Sequence, residues 1–214
     1  MKGVAKIWGL VLLGGQSHRM GYDKAGIRYR SVPQWELCRR LLEPRCEQVY
    51  FSCRLSQKHA FSLGESALID SVDNRGPAAG MWEAFRFNRE VAWFILAVDL
   101  PYCEKTHITL LAERRNPRKQ ATLFRHPLRA FVEPFLAIWE PSLQKIFRSR
   151  WKQGDSLSPS ALIREASCEW VSPPSNNDAL LSANTPRDRQ SAKKSVKLFP
   201  GTCKPTGQMP RRNI

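Results

Sequence analysis

The chain has 214 residues, enough for one domain with a substantial core, and its hydrophobic content of 42% is that of an ordinary globule. Its apolar runs are too short to cross a bilayer, so no membrane partnership is expected. The net charge of +15 is unevenly placed: Arg189 to Ile214 holds seven Lys or Arg and no acid, a solvated, basic, disordered tail by composition. Weak contact of that tail with nucleic acid or another polyanion fits its charge. No zinc-finger spacing, basic heptad array or RNP-type motif points to sequence-specific binding.

The first stretch, MKGVAKIWGLVLLGG, starts basic and turns apolar like a secretion signal. It lacks a small-x-small cleavage site, and the expectation is a cytoplasmic protein. Ile7 to Leu13 reads instead as a buried strand closed by glycines. Gly14 and Gly15 then permit positive φ and close backbone approach, so that successive N–H groups can face an anion. Arg19 adds a forked set of donors and Lys24 a compact charge. Together they suit a polyphosphate. The P-loop and the G-x-G-x-x-G fingerprint are both absent, and a glycine turn with solvated charges is the competing reading of these residues.

Next, Ser31-Val32-Pro33 opens a helix through Leu42. Gln48 to Cys53 is β-rich, Ala67 to Ile69 is a short strand, and a helix starts near Pro77 to Met81. Val91 to Val98 (VAWFILAV) is apolar throughout, as a central parallel strand buried on both faces should be. A helix around Thr106–Arg115, strands near Thr122 and Phe135–Trp139, and a helix around Pro159–Ala166 follow. The alternation predicts a three-layer α/β/α fold with a mostly parallel, Rossmann-like sheet over residues 1–188, with 189–214 as the tail.

In such sheets, ligands bind outside the carboxyl ends of the strands. The Gly loop after Leu13, Asp70 after Ile69 and Asp99 after Val98 all fall there. A carboxylate at Asp99 suits a hard cation, since Mg²⁺ binds through one or two carboxylates plus substrate phosphates. The other reading of Asp99 is an N-cap for the helix after Pro101, and of Asp70 an ordinary turn carboxylate. Six cysteines (38, 46, 53, 103, 168 and 203) form no C-x-x-C pair, and the four histidines are scattered, so no zinc site is expected.

Five segments carry a resemblance. LLGGQSHRMGYDKA resembles the L-A-G-G-x-S-x-R-M-G-x-D-K signature of the molybdenum cofactor guanylyltransferases and their MobA-like nucleotidyltransferase relatives. IDSVDNRGPAAGMWEAF is similar to their D-x(5)-G-P-L-x-G segment, LAVDLPY to the D-x-P metal strand, EPFLAIW to E-P-L-x-A-x-Y, and SANTPRD to N-x-N-T-P-E-D. All stand in family order. The chain departs from the pattern at Leu13 (for Ala), Ala78 (for Leu), Ser182 (for Asn) and Arg187 (for an acid). Ser52 falls where guanylyltransferases can carry an Asn, and VYFSCRLSQ resembles a subgroup with S-x-R-x-x-Q.

The resemblance implies transfer of GMP from GTP to molybdopterin or the molybdenum cofactor, with Mg²⁺ and release of pyrophosphate. It implies nucleotide contacts from the backbone of Leu12, Leu13, Gly14 and Gly15, with Ser52 and Asp70 on the base or ribose side. It gives Arg19 and Lys24 the developing phosphate charge, Asp99 the metal, and Asn184 the acceptor pocket. The alternatives are a related enzyme using CTP or another phosphorylated acceptor, and a non-catalytic nucleotide-binding subunit. Intact Lys24 and Asp99 argue against the last.

Overall fold

A computed structural model describes residues 3–14, 23–71, 76–125, 132–153, 158–174, 177–185, 187–188 and 190–192. Seven strands form one sheet: β1 (Ile7–Leu12), β2 (Val49–Cys53), β3 (Ala67–Ile69), β4 (Ala92–Ala97), β5 (Ala121–Phe124), β6 (Leu136–Trp139) and β7 (Cys168–Val171). Their order is β3-β2-β1-β4-β6-β5-β7. β6 runs against β4 and β5, and every other pairing is parallel. This is the mostly parallel sheet that the alternating sequence predicts.

The strand interior explains why β4 reads as an unbroken apolar run. Trp93, Ile95 and Ala97 enter one core cluster, while Ala92, Phe94, Leu96 and Val98 enter the other. Side chains alternate across a strand, so a sheet covered on both faces needs apolar residues at every position. β1 divides the same way, with Leu10 and Leu12 on one face and Val11 and Leu13 on the other.

Helices complete the outer layers. α3 (Pro77–Phe87), α5 (Pro141–Lys152) and α6 (Pro159–Glu165) bury Phe85, Phe147, Leu162 and Ile163 in the first cluster. α1 (Gln34–Leu42) and α4 (Lys105–Glu113) place Cys38, Leu42, Ile108 and Leu111 in the second. Short α2 (Leu55–Ala60) follows β2 directly. α2, α5 and β7 are additions to the elements the sequence suggests, and α1 begins at Gln34, with Pro33 rather than Ser31 at the cap position. Among the described residues, no helix is long and apolar enough to cross a membrane.

Near the far end, the backbone at 187–188 and 190–192 is helical. Thr185 and Asp188 cap its start reciprocally: Asp188 N–H donates to Thr185 Oγ1 at 3.2 Å, and Thr185 N–H to Asp188 Oδ2 at 2.8 Å. Ala192 is fully buried beside Ile27, Tyr29 and Ala183.

Candidate active site

The carboxyl ends of β1, β2, β3 and β4 meet at one rim of the sheet, and the residues singled out from the sequence gather there. β1 ends in the ladder. Val98 N–H donates to Leu12 O at 3.1 Å, and Leu13 N–H to Ser52 O at 3.1 Å. The side chains of Leu12 and Leu13 are both in the core. Gly14 follows at φ +84°, a conformation L side chains rarely adopt, and this is where the chain turns off the sheet. Gly15 and Arg19 lie outside the described residues.

The chain returns at Asp23, whose carboxylate is held from three sides. It accepts from Ala25 N–H at 3.0 Å, from Arg54 Nη2 at 3.2 Å and from Gln57 Nε2 at 2.7 Å. Gln57 is almost fully buried and its Oε1 also accepts from Arg54 N–H at 2.9 Å. The short helix after β2 thus anchors the start of the Lys24–Gly26 turn. Sequence reasoning missed Asp23, Arg54 and Gln57 as site residues, although the S-x-R-x-x-Q pattern contained two of them.

Lys24 Nζ donates to Asn184 Oδ1 at 2.7 Å, joining two segments 160 positions apart. Asn184 is steadied by Nδ2 donating to Ser182 Oγ at 2.7 Å and by its N–H donating to Asp188 Oδ2 at 3.1 Å. Ser182, in the place of the family's Asn, therefore keeps a hydrogen-bonding role. The adjoining Ala183 N–H donates to Asp99 O at 2.8 Å, so the SANTP segment is tied to the end of β4. Lys24, Asp99 and Asn184 are brought together.

Asp99 is no helix cap. Glu104 occupies the N-cap of α4, and its N–H donates to His107 Nδ1 at 3.1 Å. Burial pushes the Asp99 carboxyl above its usual range, opposed by the Lys24 charge and its own backbone amide. The antiparallel register of β4 and β6 pairs Leu96 with Leu136. Just beyond that pair, Ala97 N–H donates to Phe135 O at 3.0 Å, and Glu133 lies near enough to Asp99 to feel its charge. Glu133 is buried, and its Oε1 accepts from Phe135 N–H at 2.9 Å. Its pKa is raised to about 7, first by burial and further by the Asp99 charge. Glu133 lies in the EPFLAIW segment that carries the resemblance, but its nearness to Asp99 arises only in the folded chain.

On the other side of β1, Ser52 Oγ donates to Asp70 Oδ1 at 2.9 Å. Burial raises the Asp70 pKa to about 6, against the Ser52 hydrogen bond and helped by the Glu83 charge. Gly80 in α3 comes so close that a Cβ would sit 1.9 Å from Ser52 Oγ. The glycine keeps α3 against Ser52 and leaves its hydroxyl free to bond Asp70.

Among the described residues, no three His, Cys, Asp or Glu form a metal cluster. The donor set fits a hard ion that keeps water or phosphate ligands: the Asp99 and Glu133 carboxyls are both raised by desolvation, and Glu133 feels the Asp99 charge.

Residues 9–167 match the family described as "MobA-like NTP transferase domain". The chain is 31% identical over 183 residues to the "Molybdenum cofactor biosynthesis bifunctional protein" of Synechocystis sp.; the match covers 85% of this chain and 52% of that relative, so the chain spans about half its length. It is 30% identical to the "Probable molybdenum cofactor guanylyltransferase" of Opitutus terrae, covering 85% of this chain and 92% of that one. In three dimensions it resembles molybdopterin-guanine dinucleotide biosynthesis protein A from Archaeoglobus fulgidus, with a TM-score of 0.69, 19% identity, and coverage of 90% of this chain and 100% of that one. The chain belongs to the MobA-like NTP transferase domain family.

Proposed function

We propose that this protein is a Mg²⁺-dependent cytoplasmic nucleotidyltransferase that moves GMP from GTP to the phosphate of a molybdopterin-type acceptor and releases pyrophosphate. The observation that carries the reading is the meeting of Lys24, Asp99 and Asn184 at the strand ends of a chain in this family. The names of the Synechocystis and Opitutus relatives support the guanylyl and molybdenum cofactor assignment.

The acceptor phosphate is already ionised, so its oxygen can attack the α-phosphorus with no strong general base. Positioning and charge neutralisation then supply the rate. The nucleotide meets the chain at the end of β1, through the backbone of Leu12, Leu13 and Gly14, where the Leu12 carbonyl and the Leu13 amide still take part in the sheet. Gly15 and Arg19, which lie outside the described residues, continue that loop. Lys24 faces the charge that grows on the α-phosphate and the leaving pyrophosphate. Its bond to Asn184 supports a position on the acceptor side of the cleft. Asp70, oriented by Ser52, serves the base or ribose side. Asp99, with Glu133 nearby, would hold the ion; bound there, Mg²⁺ would supply neutralisation of the phosphate oxygens.

The basic tail, 193–214, also lies outside the described residues, and its charge supports weak polyanion contact. The experiment that tests the function is a panel of the four NTPs with Mg²⁺ and molybdopterin, read as pyrophosphate formed. GTP should be preferred. Pyrophosphate with CTP alone would reassign the base, and none with any NTP would remove the transferase reading.

A further inference from the structure

Away from the strand ends, α3 and α5 lie side by side over one face of the sheet and leave a groove of about 410 Å³ between them. α3 lines it with Trp82 and Arg86, and Arg89 follows just beyond the helix end. α5 contributes Lys145, Arg148 and Lys152, which share one side of the helix at i, i+3 and i+7. That stripe extends about 10 Å along the axis. Five of its seven lining residues are cations, Trp82 and Ser149 being the others, and no acid lines the groove.

Arg86 is neutralised by Glu83 at 2.8 Å. The other four cations have no carboxylate partner among the described residues. Arg148 is nevertheless held in place, because its Nη1 donates to Phe85 O at 3.1 Å. Burial lowers its guanidinium pKa, and the Arg89 charge lowers it further. Like charges kept this close repel until an anion is placed among them.

The shape of the site selects the kind of anion. Single-stranded nucleic acid is held by stacking bases on free aromatic faces. Trp82, the one aromatic lining the groove, is stacked on Trp151 at 5.4 Å and 11°, so a face is already covered. The cations instead repeat at the spacing of a helical turn, which matches carboxylates on one stripe of a helix. Two of those without a carboxylate partner, Arg89 and Arg148, are guanidinium forks, which take carboxylates in bidentate fashion. We propose that the α3–α5 groove is a docking site for an acidic helical segment of a partner protein. The site is independent of the nucleotide chemistry: it lies along the later turns of α3, whereas Gly80 near the start of that helix packs on Ser52.

The test uses the full chain and three probes: a fluorescent helix-forming peptide with Glu along one stripe, the same peptide with Gln, and a single-stranded oligonucleotide. Two double charge reversals are compared at physiological ionic strength. Arg89→Glu with Lys145→Glu changes the groove. Arg114→Glu with Arg118→Glu makes the same change in net charge at exposed positions after α4, on the other face of the sheet. Circular dichroism checks that both variants fold. The Glu peptide should bind the unaltered chain at least about tenfold more tightly than the Gln peptide, and the groove reversal should weaken it by about tenfold or more. The control reversal should leave its affinity within about twofold. Equal weakening by both reversals would mean attraction by net charge alone and would overturn the proposal. So would failure of the Glu peptide to bind, or tighter, groove-dependent binding of the oligonucleotide.

Discussion

Asp99 shows how much one carboxylate can carry. Its change to Asn keeps the size and an acceptor but removes the charge that a hard cation needs. Since Glu104 and not Asp99 caps α4, the helix loses nothing. Transfer should nearly vanish at low millimolar Mg²⁺, and Mn²⁺ binding followed by electron paramagnetic resonance should weaken in parallel. The melting point of the ion-free protein should hold or rise, because a desolvated charge is relieved. Full Mg²⁺-dependent activity in Asp99→Asn would remove the ion from this rim. Asp70 gives a separate, pH-dependent outcome. Its pKa rises from 3.8 to about 6 on folding, through burial. A raised carboxylate adds stability that is complete below the unfolded value and is lost as pH climbs through the folded one. Between about pH 4 and pH 7, the native protein should therefore lose stability relative to Asp70→Asn. Parallel melting curves of the two proteins across that range would refute the shift.

At the scale of elements, α2 is the piece whose role the sequence hid. Its six residues, LSQKHA, carry no apolar stripe, and the helix is fixed by polar contacts rather than by a buried face. β4 was legible for the opposite reason: both of its faces are core, so every position is apolar. α5 was missed although Leu143, Phe147 and Trp151, at i, i+4 and i+8 between Lys and Arg, form the apolar stripe of an amphipathic helix. The reversal of β6 leaves no mark in strand composition. Lys24, Asp70 and Asp99 could be read because each follows a glycine loop or an apolar strand. Glu133 could not, because it comes near Asp99 only in the folded chain. For α2, Gln57→Ala leaves Asp23 Oδ2 short of a donor and Arg54 N–H without its acceptor. A fully buried orphan costs about 1–3 kcal/mol, and these part-buried groups fall toward the lower end of that range. The melting point should fall, and GTP affinity by titration calorimetry should fall with it as the Lys24 turn loosens. Gln57→Glu should also lose affinity, since it sets a second carboxylate against Asp23. Unchanged affinity in both variants would detach α2 from the site.

For the whole molecule, the question is where the packed domain gives way to the basic tail. The sequence suggests residue 188, where the family motif ends. The described structure carries helical backbone to Ala192, whose side chain is fully buried against Ile27, Tyr29 and Ala183. Two shortened chains separate the boundaries. A chain ended after Ala192 loses six of the seven tail cations but none of that small cluster. It should keep its melting point and its GTP affinity, and should bind a polyanion such as heparin more weakly. A chain ended after Arg189 also loses Ala192 and the last helical residues behind the Thr185–Asp188 cap. Burying one methyl-sized group contributes about 0.8 kcal/mol, and a loss near 1 kcal/mol lowers the melting point of a chain this size by about 2–4 °C. The cap also holds Asn184, the partner of Lys24, so turnover should fall in the shorter chain and not in the longer one. Equal melting points and equal turnover for the two chains would show that Ala192 contributes nothing. A lower melting point for the chain ended after Ala192 than for the full one would show instead that residues 193–214 pack on the domain.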